Sequence, residues 1–145
     1  MEFKEPLRVI QGDNAEIWWD LKRKMPRGVK HIKPDIVVWD KINKLCQIID
    51  ISVPLDINII SKCQEKMDNY VPLAAELQRI YTDYRFEVIP IVIGSLGVVT
   101  NQLKLNLSRI GVEKNNLVRV VNDIQKRTLI GSMKIVRTFM KMKAD

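Results

Sequence analysis

Asp35 and Asp50 are the residues of this chain whose type and spacing point most directly to chemistry. Between them lie two β-forming runs, Ile36-Val37-Val38-Trp39 and Leu45-Cys46-Gln47-Ile48-Ile49, joined by the polar connection Lys41-Ile42-Asn43-Lys44. That pattern predicts a hairpin. If residues 41–44 form a four-residue loop, Asp40 faces Leu45, every facing pair sums to 85, and Asp35 stands across from Asp50 on one face. Facing Cβ atoms in such a ladder are roughly 5 Å apart, and two carboxylates so placed repel unless a proton or a cation lies between them. Mg²⁺ commonly takes one or two carboxylates and completes its shell with water and substrate phosphate. The pair therefore predicts metal-dependent phosphodiester chemistry. The plainer reading makes Asp35, after Lys33-Pro34, an ordinary strand start; Asp50, between Ile48-Ile49 and Ile51, needs a partner under either reading.

A lysine joins them from a different signal. Residues 57–81 carry Ile59, Cys63, Met67, Tyr70, Leu73, Ala74 and Leu77 on one face of a helical wheel, with Glu65 and Asp68 pointing away. Lys66 falls inside the apolar arc, and Lys62 and Asn69 sit at its rim. A lysine in that position either snorkels to the edge or meets a carboxylate. Because this helix follows the Asp50 strand after a short connection, Lys66 is expected to reach toward Asp50.

Charge points to a polyanion. Residues 1–100 hold 14 basic and 14 acidic side chains, whereas residues 101–145 hold 10 basic ones against Glu113, Asp123 and Asp145, so the net charge of +7 comes from the C-terminal segment. A second cluster, Lys22, Arg23, Lys24, Arg27, Lys30 and Lys33, leads directly into Asp35. Such patches beside a carboxylate pair suit a nucleic-acid backbone; solvated faces are the alternative. Cys46, Cys63 and the single His31 cannot form a four-ligand zinc site or a disulfide framework, which suits reduced thiols. The charged start Met-Glu-Phe-Lys-Glu and the lack of an apolar run near 18 residues indicate neither secretion nor membrane insertion, so an intracellular protein is expected.

The elements that position these residues follow from the pattern. Glu16 to Leu21 reads as a first strand, then comes a basic turn through Pro26-Arg27-Gly28, the hairpin, and a helix with Asp56 as its N-cap and Pro72 as a kink or break. Arg85 to Ile93 reads as a strand whose Pro90 demands an edge or a bulge. Gly94-Ser95-Leu96-Gly97 turns into a helix over 98–109; the turn is either plain or a phosphate site at a helix N-terminus. Gly111 ends that helix and a last one spans about 115–143. On it Arg119, Lys126, Arg127, Lys134, Arg137 and Lys141 share a basic stripe, with Ile130 the exception, and the wide apolar remainder predicts burial. The expected architecture is a single α/β domain over 1–145, a mixed β-sheet flanked by helices, with its core at about 16–110.

Two sheet acids and a helix lysine are the constellation of the PD-(D/E)XK, or restriction-like, nucleases. Lys33-Pro34-Asp35, a 14-residue gap and Asp50 resemble the basic-Pro-Asp-gap-acid pattern in the endonuclease domain of early-branching, site-specific non-LTR retrotransposon polyproteins. Trp19-Asp20, Asp35-Ile36-Val37-Val38, Ile49-Asp50-Ile51-Ser52-Val53-Pro54, Glu65-Lys66 with Tyr70, and Ile93-Gly94-Ser95-Leu96-Gly97 extend the similarity over about residues 16–140.

The resemblance implies a restriction-endonuclease-like core, Asp35 and Asp50 as metal ligands and Lys66 as the catalytic lysine. Ser52 stands where the superfamily pattern has its lysine, and Asn69 where related domains often carry a second one. The expected activity is Mg²⁺-dependent cleavage of double-stranded DNA, with Mn²⁺ as a substitute. The nick would prime reverse transcription, the partner would be the polyprotein's reverse transcriptase domain, and the nucleus would be the site of action. Lys30, Lys33, Lys62, Asn69, Arg119, Lys126, Lys134 and Arg137 are the expected DNA contacts. The alternatives are an inactive or domesticated nucleic-acid-binding module on the same fold, and a junction-resolving nuclease.

Overall fold

The structure, a computed structural model, describes residues 9–19 and 34–144. They form an α/β arrangement: strands β1 (Val9–Gln11), β2 (Ala15–Trp19), β3 (Ile36–Asp40) and β4 (Leu45–Ser52), a 3-10 turn (Asp56–Asn58), helix α1 (Ile59–Ile80), strand β5 (Arg85–Val92), and helices α2 (Asn101–Arg109) and α3 (Lys114–Ala144). The sheet order is β1-β2-β3-β4-β5. β1 to β4 pair antiparallel in sequence order. β5 runs parallel to β4: Arg85 N–H donates to Lys44 O and Ile93 N–H to Ser52 O, each pair 41 residues apart, an offset that stays constant only between strands of the same direction. The sheet is thus mixed, and Pro90 lies on its edge strand, where a missing N–H disturbs no ladder.

The chain divides into two compact units, Met1–Asp50 with Glu65–Ile89, and Ile51–Gln64 with Pro90–Asp145. In the first, the hairpin register is the one the loop length dictates. Asp40 pairs with Leu45, Trp39 with Cys46, Val38 with Gln47, Val37 with Ile48 and Ile36 with Ile49. Asp40 fixes the loop by accepting from Ile42 N–H and Asn43 N–H, both at 3.1 Å, and from the Asn43 side chain at 2.8 Å. These bonds, those to Asn43 first, hold the Asp40 carboxyl below its ordinary pKa. Lys44 closes the loop at φ +54°.

Helix α1 buries the stripe its spacing predicts. Tyr70, Leu73 and Leu77 pack with Ile48 and Val88, while Met67 and Ala74 fill in beside them. Complete burial of a leucine such as Leu77 contributes about 1.5–3 kcal/mol, and truncation to alanine would cost about 2–5 kcal/mol. The helix runs through Pro72 without splitting. Gln78 holds its C-terminal end by donating to the carbonyl of Tyr84 at 2.7 Å.

In the second unit Thr100 caps α2 by accepting from Leu103 N–H, and Gly111, at φ +106°, ends it. Buried Asn106 donates to the Pro90 carbonyl at 2.7 Å. The turn at Gly94–Gly97 is tied to α3: Gln125 donates to Gly97 O at 2.7 Å and Ser132 to Ser95 O at 2.6 Å.

Four expectations change. The strand at Glu16 is the second, because Val9–Gln11 forms a hairpin with it around Gly12-Asp13-Asn14; Asp20 and Leu21 lie outside the described residues. Asp56 does not cap α1: it opens the 3-10 turn and accepts from Leu96 N–H at 3.2 Å. α2 begins at Asn101 rather than 98. Burial of the apolar arc of α3 holds for its first half, where Val121 is buried and Leu117, Val120 and Ile124 are half-buried. Further on, Met133, Ile135, Val136 and Met140 are exposed. Periodicity reports which side chains share a face, not whether another element covers it. Among the described residues no helix is long and apolar enough to cross a membrane.

Candidate active site

The acid pair, Lys66 and Tyr70 all belong to the first unit. The hairpin ladder is described as far as Ile36 with Ile49, and the next residue on each side is Asp35 and Asp50. Asp35 is exposed; Asp50 is only 4% exposed. A carboxylate that deep must be compensated, and α1 supplies the compensation. Lys66 Nζ lies 2.6 Å from Asp50 Oδ2, and Tyr70 OH, one turn further along the same helix face, donates to Asp50 Oδ1 at 3.2 Å. The lysine approaches off the hydrogen-bonding direction, so Oδ2 is buried against a cation without an aligned donor.

Tyr70 reports on the local field. Its phenol is pushed well above the ordinary tyrosine range, first by burial, then by the Asp50 charge and the hydrogen bond to it, and last by the charge of Asp35. Both acids therefore act on one hydroxyl. The phenol stays protonated near neutral pH and serves as a donor to Asp50.

Asp35, immediately before β3, and Asp50 on β4 are oxygen donors of the kind a hard cation such as Mg²⁺ prefers, and such an ion would take its remaining ligands from water and phosphate. Among the described residues no group of three or more His, Cys, Asp or Glu side chains stands together, so a site here depends on those outside ligands. Thiol chemistry has no support: burial pushes both the Cys46 and the Cys63 thiol up, away from the reactive thiolate.

The remaining expected residues are placed as follows. Lys62 is half-buried on α1, one turn before Lys66, and Asn69 is exposed. Arg119, Lys126, Arg127, Lys134, Arg137 and Lys141 are all exposed on α3. Lys30, Lys33, His31 and the rest of the basic cluster lie outside the described residues. The Gly94–Gly97 turn is a plain one, because its amides already have acceptors: Gly94 N–H bonds Val98 O, Ser95 N–H bonds Pro54 O, Leu96 N–H bonds Asp56, and Gly97 N–H bonds Gly94 O. Tyr70 is the site residue the wheel left among the core. Its offset of four from Lys66 on one helix face was the signal for it.

No protein-family model, no curated protein and no solved structure matches this chain.

Proposed function

We propose that this chain is a Mg²⁺-dependent DNA endonuclease domain of retrotransposon origin, with a restriction-endonuclease-like core, acting with a reverse transcriptase domain in the nucleus. The observation that carries the reading is the direct pairing of Lys66 with buried Asp50, at the end of a hairpin ladder whose last pair, Ile36 with Ile49, directly precedes Asp35 and Asp50. Asp35 and Asp50 would hold the ion, which supplies charge neutralisation at the scissile phosphate and a more acidic water. Tyr70 orients Asp50 through its hydroxyl. Lys66 brings a positive charge to the acid pair, where it can orient the attacking water or offset charge that develops on the phosphate. The exposed stripe of Arg119, Lys126, Lys134 and Arg137 suits a phosphate backbone.

Nicking of supercoiled plasmid with Mg²⁺, with Mn²⁺ and with EDTA, beside an Asp50→Asn control, tests the proposal. Nicking that needs the cation and Asp50 is the expected result; DNA binding without nicking under any condition would overturn it. One observation favours the second reading, a binding module without catalysis. Lys66 already neutralises Asp50, so the pair can be kept as a compensated structural contact in a nuclease-like fold that no longer cuts.

A further inference from the structure

At the hairpin-loop end of the first unit, away from the acid pair, Trp39 is the hub of an aromatic cluster. Its ring centroid lies 5.1 Å from Trp18, 5.0 Å from Tyr81 and 5.1 Å from Tyr84. These rings, with Glu16 and Lys41, line an open cavity of about 170 Å³. That is below the roughly 300 Å³ at which drug-sized sites begin, and of a size for a single planar ring system. Trp39 itself is only 5% exposed, so it forms the floor of the cavity rather than an open wall.

Two ligand classes favour aromatic walls, a cation held by ring faces and a stacked base. The polar groups decide between them. Glu16, the one acid among the described lining residues, is engaged by Trp18 Nε1 at 2.8 Å and by the Lys41 ammonium at 4.0 Å. A second cation would have to compete with Lys41, and the ammonium of Lys44 already lies 5.2 Å from the centre of the Tyr84 ring.

We infer that this cavity captures one unstacked nucleobase, stacked on Tyr84 and Trp18, with Lys41 on its phosphate. The site is distinct from the acid pair: Trp39 is four residues beyond Asp35, roughly 13 Å along an extended chain. The inference draws on the proposed function only for nucleic acid as the source of the base.

The test is tryptophan fluorescence titration of the whole chain in EDTA with a short oligodeoxyadenylate and with an abasic strand of equal length and charge. The base-bearing strand is expected to bind about tenfold tighter, the order of one base–aromatic stack. Tyr84→Ala should erase that preference and Tyr84→Phe retain it. Lys41→Gln should lower the salt dependence of binding. Equal affinity of the wild type for both strands overturns the site without relying on any variant, and so does saturable quenching by choline in place of the base. Plasmid nicking on the same preparation keeps the two readings apart. Base preference without nicking supports the cavity and counts against the nuclease, whereas intact nicking with no base preference overturns the cavity alone.

Discussion

Lys66 Nζ and Asp50 Oδ2 lie 2.6 Å apart, with the lysine side chain 21% exposed and the aspartate side chain 5%. The two groups answer each other's problem. The lysine occupies an apolar helix face and the aspartate a buried strand, and neither charge is well accommodated alone. Functional and structural roles therefore coincide on one contact, and mutations there must be read with both in view.

Lys66→Met should lower stability by roughly 1–3 kcal/mol, because it strands the buried Asp50 carboxylate. The double variant Lys66→Met with Asp50→Asn should recover most of that loss, since no unpaired charge remains. Cleavage should fall by about 10² to 10³ in the single variant and stay lost in the double. Denaturant melts beside single-turnover nicking check both. A destabilised Lys66→Met protein that still cuts at the wild-type rate assigns Lys66 to the fold alone.

Tyr70 gives the fold a pH dependence of known sign. Its pKa in the folded state is raised above the unfolded value, so its contribution is fully present below about pH 10 and is lost as pH rises through the folded value. Wild-type stability should therefore fall more steeply above about pH 10 than that of Tyr70→Phe, while at neutral pH the variant should be weaker by about 0.5–1.5 kcal/mol for the lost hydrogen bond to Asp50. Melting temperatures followed across that range provide the measurement; parallel curves would mean that the phenol titrates alike in both states.

What the sequence made legible was local. The hairpin register from Asp40–Leu45 to Ile36–Ile49 followed from two β-branched runs and a four-residue loop, and the α1 face followed from helical spacing that had already singled out Lys66. Less legible was whatever depends on a distant partner. Asp56 looked like a cap because its actual partner, Leu96 N–H, is forty residues away. β1 is only Val9–Gln11, too short for alternation to register. The second half of α3 has an apolar face on the wheel, but nothing in the wheel says what covers it. Trp39 read as one more strand aromatic until Tyr81 and Tyr84 were brought around it.

Gly94 separates a structural turn from a ligand loop. A Cβ there would run into Asp56 Oδ1 and Cγ, so Gly94→Ala must displace the carboxylate that holds Leu96 N–H. A loss of about 1–3 kcal/mol is expected, with DNA affinity of the folded protein unchanged. A large affinity loss without a stability change would return the turn to the list of phosphate contacts.

The α3 stripe makes a quantitative claim about salt. Neutralising exposed Lys134 and Arg137 together should lower the slope of log affinity against log salt by up to about 2, independently of sequence. Affinities measured across a salt series decide it. An unchanged slope would assign the stripe to solvent or to another protein surface.

The sharpest contrast lies between the two acids. Asp35 is exposed and Asp50 buried, so a purely structural role would make Asp50 matter far more than Asp35. If both are metal ligands, the two substitutions should be equal in one measurement and unequal in another. Asp35→Asn, at an exposed site, should cost less stability than Asp50→Asn, which removes the partner of Lys66. Each should nevertheless abolish cation-dependent nicking, and each should weaken Mn²⁺ binding measured by calorimetry or by the quenching of its free-ion magnetic resonance signal. DNA affinity in EDTA should be equal or slightly higher in both, because a negative charge near phosphate has been removed. Mn²⁺ binding and nicking that survive Asp35→Asn would take Asp35 out of the site and leave Asp50 with Lys66 as a structural ion pair.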